Sequence, residues 1–212
     1  MSPAADIVNS TGTRAIRITR PLPVEVEAPG LVRTARMVFR PLRESDRAEF
    51  LRVVQSSRAH LARWSELHRP CESDRAMFDR QVAMCGEGDA RGTAWRRAAF
   101  LDDGRLAGCF NLNSIDRGLS FEADANWWVS AECSGRGLGT EGVSALLEHA
   151  LTDLPRGLGL NLIRASIAPE NLPCRKLAQR VGLLPTAERV WLAVGGRWEK
   201  HDVFERRLQL AV

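Results

Sequence analysis

The stretch CSGRGLGTEGV, Cys133 to Val143, packs glycines at a spacing that can do chemistry. Glycine lets a backbone approach an oxyanion closely and adopt conformations closed to other residues. If a helix starts here, its first N–H groups are unpaired and lie at the positive end of a dipole, so an anion site is physically reasonable. Two frames compete. From Gly137 the run spells G-x-G-x-x-G, the dinucleotide fingerprint. From Ser134 it spells x-x-x-G-x-G, and Gly142 falls inside the following helix. The dinucleotide frame needs an acidic residue about 20 positions on, at the end of the next strand. That strand ends at Ala168, and Glu170 lies too far along. About 125 residues also precede the loop, whereas a dinucleotide fold opens on it. No Val-Ala-Ile-Lys strand or His-Arg-Asp loop follows, which excludes a protein kinase.

The neighbouring segments explain what would hold such a loop. Before it, LSFEADANWWVS alternates. Phe121, Ala123, Ala125, Trp127 and Val129 share one face, and Glu122, Asp124, Asn126 and Trp128 the other. After it, Val143, Leu146, Leu147, Ala150, Leu151 and Leu154 recur at helical spacing. LNLIRASIA reads as the next strand. NLPCRKLAQRVGL reads as a helix with Asn171 as cap and Gly182 at its end. Upstream, RMVFRPLRESDRAEFLRVV predicts strand, turn and helix, capped by Ser45 or Asp46. SSRAHLARW continues helical, and Ser73 or Asp74 caps RAMFDRQVAMC. GEGDARGT reads as a loop. Two hairpins are expected, around DDG and around Gly195-Gly196. The result is an α/β (α+β) class with a mixed, mostly antiparallel central sheet and helices on both faces. Residues 1–34 read as an extension, where Ile16/Ile18 and Val24/Val26 could add an edge strand, and residues 35–212 as one domain.

Composition narrows the partners. The 212 residues are 44% hydrophobic and 26% charged, ordinary for a soluble domain. No apolar run is long enough to span a membrane, and the first residues do not form a secretory signal, so a cytoplasmic location is expected. The five cysteines and four histidines are scattered, which predicts free thiols and no metal centre. Net charge is +4 with a pI near 9.1. Only Lys176 and Lys200 are lysines among the 30 basic residues, a bias that reads as base composition rather than nucleic-acid binding. Such a surface still attracts polyanionic cofactors.

Four segments in order resemble the GNAT superfamily of acetyl-CoA-dependent N-acetyltransferases, in particular its Rim-type branch. They are LVRTARMVFRPLRESD, ADANWWVSAECSGRGLGTEGV, ASIAPENLPCRKLAQRVGL and GGRWEKHDVFERRL, spanning about Val32 to Leu208. The resemblance implies the GNAT fold, with acetyl-CoA as co-substrate and a primary amine as acceptor, on a protein N-terminus or a small molecule such as an antibiotic. It implies no metal, nucleic acid or membrane, and it leaves a homodimer open. Backbone N–H groups of Gly135, Arg136, Gly137, Leu138, Gly139 and Thr140 would hold the CoA pyrophosphate, with Ser134 a further cofactor contact at the head of the loop. Trp128, Val129 and Ser130 would pair with the pantetheine arm, Val129 N–H being an oxyanion donor. Asn171 would bond the pantetheine while capping its helix. Asp124 or Glu122 would be the general base, with His201 as runner-up. Cys174 stands where the family usually has a serine. It is either the proton donor to the departing thiolate or a buried thiol on the face with Leu177, Ala178 and Val181. Ser134 replaces the usual Gln or Arg, and the chain has no tyrosine. Two other readings stand beside this one: a CoA-binding module without turnover, and an NAD(P)-dependent oxidoreductase.

Overall fold

The computed structural model describes residues 31–65 and 67–208. Alternating apolar segments form strands β1 (Val32–Arg33), β2 (Met37–Arg40), β3 (Trp95–Leu101), β4 (Leu106–Asp116), β5 (Glu122–Val129), β6 (Leu162–Ile167), β7 (Leu184–Val194) and β8 (Arg197–Arg207). The helices are α1 (Arg47–Ser56), α2 (Arg58–Leu61), α3 (Asp74–Arg91), α4 (Leu138–Leu151) and α5 (Leu172–Arg180). All strands join one sheet in the order β1-β2-β3-β4-β5-β6-β8-β7. Every pairing is antiparallel except β5 with β6. A parallel pair needs a crossover, and α4 supplies it.

The two sheet faces carry separate cores. Phe39, Phe110, Ala123, Leu146, Leu147, Ile163 and Phe204 pack on the α4–α5 side. Phe50, Val53, Met77, Phe78, Ala98, Phe100 and Trp128 pack on the α1–α3 side. Each large side chain fully buried here contributes about 1.5–3 kcal/mol. The α1–α3 layer is pinned to the strands by ion pairs, such as Arg97 to Asp89 at 3.0 Å.

Three local expectations change. GEGDAR is helical, because α3 runs on to Arg91 and ends at Gly92 with φ 66°. Ser73 caps its start, accepting from Ala76 N at 3.2 Å. Gly88 is buried against Ala94, where an added Cβ would stand 2.8 Å from Ala94 Cβ. Packing there outweighs the local preference of glycine for a turn. Second, α2 is a single short turn of helix. Third, β5 starts at Glu122 because Phe121 has φ 50°. The sheet begins at Val32, inside the segment assigned to the extension. The strand expected around Ile16, Ile18, Val24 and Val26 lies outside the described residues. No described helix is long and apolar enough to cross a membrane, and no described group of His, Cys, Asp or Glu could hold a metal.

Candidate active site

The central feature is a seam where β5 and β6 part. They pair only at Glu122–Leu162, Ala123–Ile163 and Asp124–Arg164. Beyond that, β5 stays paired to β4 as far as Val129, and β6 stays paired to β8 as far as Ile167. Ser130 N–H donates to Ala107 O at 2.8 Å, so by antiparallel alternation Trp128 also turns its polar backbone to β4. Trp127 and Val129 then turn theirs into the seam. Of the three residues expected to pair with a ligand arm, only Val129 presents its N–H there. Trp128 instead contributes a buried ring, 6.1 Å from Phe50. Ser130 is buried, with an unpartnered hydroxyl.

The glycine loop sits at one mouth of this seam. Gly135 and Gly137 have φ 74° and 79°, a region that strains other residues. Gly137 is the N-cap of α4 and offers no side-chain bond. The N–H groups from Gly135 through Thr140 find no partner among the described residues. Arg36 braces the loop: its Nη1 donates to Arg136 O at 3.0 Å while its Nε holds Glu141 at 2.6 Å. The next glycines do packing work. An added Cβ on Gly139 would stand 3.0 Å from Leu177 Cδ1, and one on Gly142 would stand 2.2 Å from Phe110 Cζ.

A cleft of about 680 Å³ runs through the seam. Val129, Ser134, Gly135, Gly137, Gly139, Thr140, Asn171, Cys174 and His201 all line it, as does the Trp128 ring. On the α4–α5 side, Lys176 and Arg180 join them. On the other side stand His60, Arg63, Trp64, Asn126 and Glu199. The Arg136 and Leu138 side chains do not line it. Leu138 is core and Arg136 is exposed, so their contribution is their N–H groups. The basic side chains that line it near the loop are Lys176 and Arg180 of α5.

The two carboxylates expected as base are not in the cleft. Asp124 and Glu122 lie at the closed end of the seam, where β5 and β6 are still paired and Arg164 is the register partner of Asp124. The Asp124 carboxyl is nonetheless held above its usual range. Partial desolvation is the main cause and Glu122 adds to it, while Arg164 and Ser114 oppose them. His201, by contrast, is buried in the cleft wall. Its Nδ1 lies 3.1 Å from Glu199 O. A carbonyl can only accept, so Nδ1 is the donor here, and in the neutral ring Nε2 then carries the lone pair. Asn171 Oδ1 accepts from Cys174 N at 3.2 Å, the expected cap. Burial pushes the Cys174 thiol up to about 12. It therefore holds its proton, a poor donor to a thiolate of ordinary basicity and a poor nucleophile.

Sequence reading missed Arg36, Asn126, Lys176 and Arg180. The last two are i and i+4 on α5, a spacing that puts them on one face. Arg36 reaches the loop across about 100 residues of chain, and no local signal marks it.

Residues 36–184 match the acetyltransferase (GNAT) domain profile. The chain belongs to the GNAT acetyltransferase family. Among curated relatives, this GNAT chain is 28% identical over 99 residues to "Putative ribosomal N-acetyltransferase YdaF" of Bacillus subtilis. That match covers 42% of the chain and spans about half, 51%, of the relative. Among solved structures, RimJ of Mycobacterium smegmatis, in complex with CoA-disulfide, superposes with a TM-score of 0.73 at 21% identity, covering 85% of this chain and 88% of that one. Spermidine N-acetyltransferase from Vibrio cholerae, with CoA and spermine, gives 0.65 at 16%, covering 82% and 97%. These likenesses show the shared fold. GNAT acetyltransferases use acetyl-CoA, and the unpaired N–H groups of Gly135–Thr140 at the start of α4 fit its pyrophosphate.

Proposed function

We propose that this GNAT domain moves the acetyl group of acetyl-CoA directly to a primary amine, on a protein N-terminus or a small molecule. One observation carries the reading: a single cleft in the parted sheet is lined both by the glycine loop with its unpaired N–H groups and by a buried histidine whose Nε2 has no partner among the described residues. When bound, acetyl-CoA supplies an activated thioester. Gly135 to Thr140 hold the pyrophosphate, with Lys176 and Arg180 adding charge. Trp127 and Val129 offer main-chain groups to the arm along the open edge of β5, and Val129 N–H is the donor for the acyl oxygen. His201 Nε2 takes the proton from the incoming ammonium. Asn126, Trp64 and Glu199 wall the acceptor side. Cys174 packs beside the arm and keeps its proton. The departing thiolate, with an ordinary pKa of about 8.5, needs no strong acid to leave. The acetyltransferase domain in this proposal takes in β1 and so starts at about residue 32, with the residues before it as an extension. A cytoplasmic setting, like the absence of nucleic-acid or membrane roles, rests on the sequence alone.

Thermal melts with acetyl-CoA, CoA and NAD(P), followed by thiol release over an amine and peptide panel, test the proposal. A CoA compound at 100 times its Kd should raise Tm by on the order of 5–10 °C. Stabilisation by NAD(P) alone would overturn it. Tight CoA binding with no thiol released by any amine would favour a binding module.

A further inference from the structure

A row of three polar side chains crosses the sheet on its α3 side. Arg96 of β3 is the register partner of Asn111 of β4, which is the partner of Asn126 of β5. Asn111 Nδ2 donates to Asn126 Oδ1 at 2.9 Å. All three line a second cleft of about 360 Å³. Ser65, Asn126, Trp127 and Trp128 line this cleft and the seam cleft alike, so the two adjoin.

The second cleft is basic. Arg69, Arg80 and Arg96 line it, and no Asp or Glu does among the described residues. Arg80 is already committed, holding Glu72 at 2.7 Å and Leu67 O at 2.8 Å. Glu72 in turn accepts from Arg69 N at 2.9 Å, and His68 Nε2 lies 2.8 Å from Asp74. These contacts fix the 67–72 loop, which carries Arg69, over the cleft. Arg96 differs from Arg80. It is half-buried, and its side chain has no hydrogen bond or ion pair among the described residues. Partial burial lowers its pKa, and the neighbouring Arg80 charge adds to this while Cys85 opposes it. A half-buried guanidinium in a basic cleft, with no carboxylate beside it among the described residues, is open to an anionic ligand.

Building on the acetyl-transfer reading, we propose that Arg96, assisted by Arg69, binds a carboxylate carried by the acceptor itself. The acceptors are therefore anionic amines. Arg96 stands two strand spacings from β5, ~10 Å across the sheet, and Val129, the donor for the acyl oxygen, lies three residues beyond Asn126, another ~10 Å along β5. The diagonal of ~14 Å is the span of about four extended residues, or of two or three once the reach of the Arg96 and acidic side chains is added. A peptide N-terminus with an acidic side chain at its second or third position meets this spacing. A polyamine does not, because it brings only positive charge to a basic cleft.

The test uses the full chain and three tripeptide amides: Ala-Ala-Asp, Ala-Ala-Asn and Ala-Ala-Lys, with spermidine as a fourth acceptor. For the native protein, kcat/KM for the Asp peptide should exceed that for the Asn peptide by at least about tenfold, mostly through KM. The Lys peptide and spermidine should be poorest. Arg96→Gln should bring the Asp-to-Asn ratio close to one, and Arg96→Lys should restore part of it. Acetyl-CoA titration of each variant checks folding. Calorimetric titration of the peptides into CoA-saturated protein reads the same preference without turnover. Equal binding and rates for all three peptides, or a uniform loss across them in Arg96→Gln, would overturn the anionic-acceptor proposal while leaving acetyl transfer standing. Failure of the wider reading looks different: acetyl-CoA would neither bind nor release thiol with any amine.

Discussion

At the scale of single residues, the acid–base assignment turns on a register that no short segment reveals. Glu122 and Asp124 share a strand face, as their spacing predicts, and Asp124 does hold its proton more tightly than an ordinary carboxylate. Yet pairing with β6 keeps both at the closed end of the seam, outside the cleft. His201 sits in the wall with its proton directed to Glu199 O. His201→Gln should therefore lower kcat by about 10²–10⁴-fold with acetyl-CoA affinity kept, whereas Asp124→Asn should leave kcat near the native value. Thiol-release kinetics on both variants decide between them; a large loss in Asp124→Asn would return the base to β5. The position of Asn171 was legible because a cap is a local device. The role of Arg96 was not, since it appears only once β3, β4 and β5 are laid side by side.

At the scale of elements, periodicity was enough wherever one face of a segment is buried. The alternation of β5, the apolar stripe of α4 and both hairpins follow from patterns of two and of three to four residues. It failed at GEGDAR, where burial of Gly88 against Ala94 extends α3 beyond its local preferences. The glycine loop also divides in two. Gly135 and Gly137 take left-handed backbone and free their N–H groups, while Gly142 lies under the fully buried Phe110 ring. The third glycine of a dinucleotide fingerprint also serves helix–strand packing, so Gly142 does not by itself separate the two frames. Here Gly142→Ala should cost about 1–3 kcal/mol through overpacking. Melting should fall while affinity for CoA holds, and a loss of CoA affinity with unchanged melting would contradict this division of labour.

At the scale of the whole molecule, the fold class was legible, but the parting of the sheet was not. It depends on where β5 and β6, joined through α4, stop pairing. Stability at this scale leans on a few buried charges. Asp46 is 8% exposed, and both of its oxygens are held by Arg40, at 2.7 and 2.8 Å, with Arg43 N donating at 2.8 Å. Burial alone would raise its pKa; the bonds from Arg40 and Arg43 outweigh that and lower it. A lowered carboxylate stabilises the fold fully above its unfolded pKa of about 3.9, and this contribution is lost as pH falls through the lower, folded value. Asp46→Asn should cost about 3 kcal/mol at neutral pH and flatten the acid limb of denaturant melts taken across pH. An unchanged acid limb would show that other carboxylates set it. The cleft itself has one further consequence. Its lining is drawn from the glycine loop and α5, and from α2 and the β7–β8 hairpin. In the proposed reading, a cofactor held by the first set and an acceptor held by the second are resident together. With no thiolate in the wall to store the acetyl group, a full grid of the two concentrations should give intersecting double-reciprocal lines, not the parallel ones of a ping-pong enzyme.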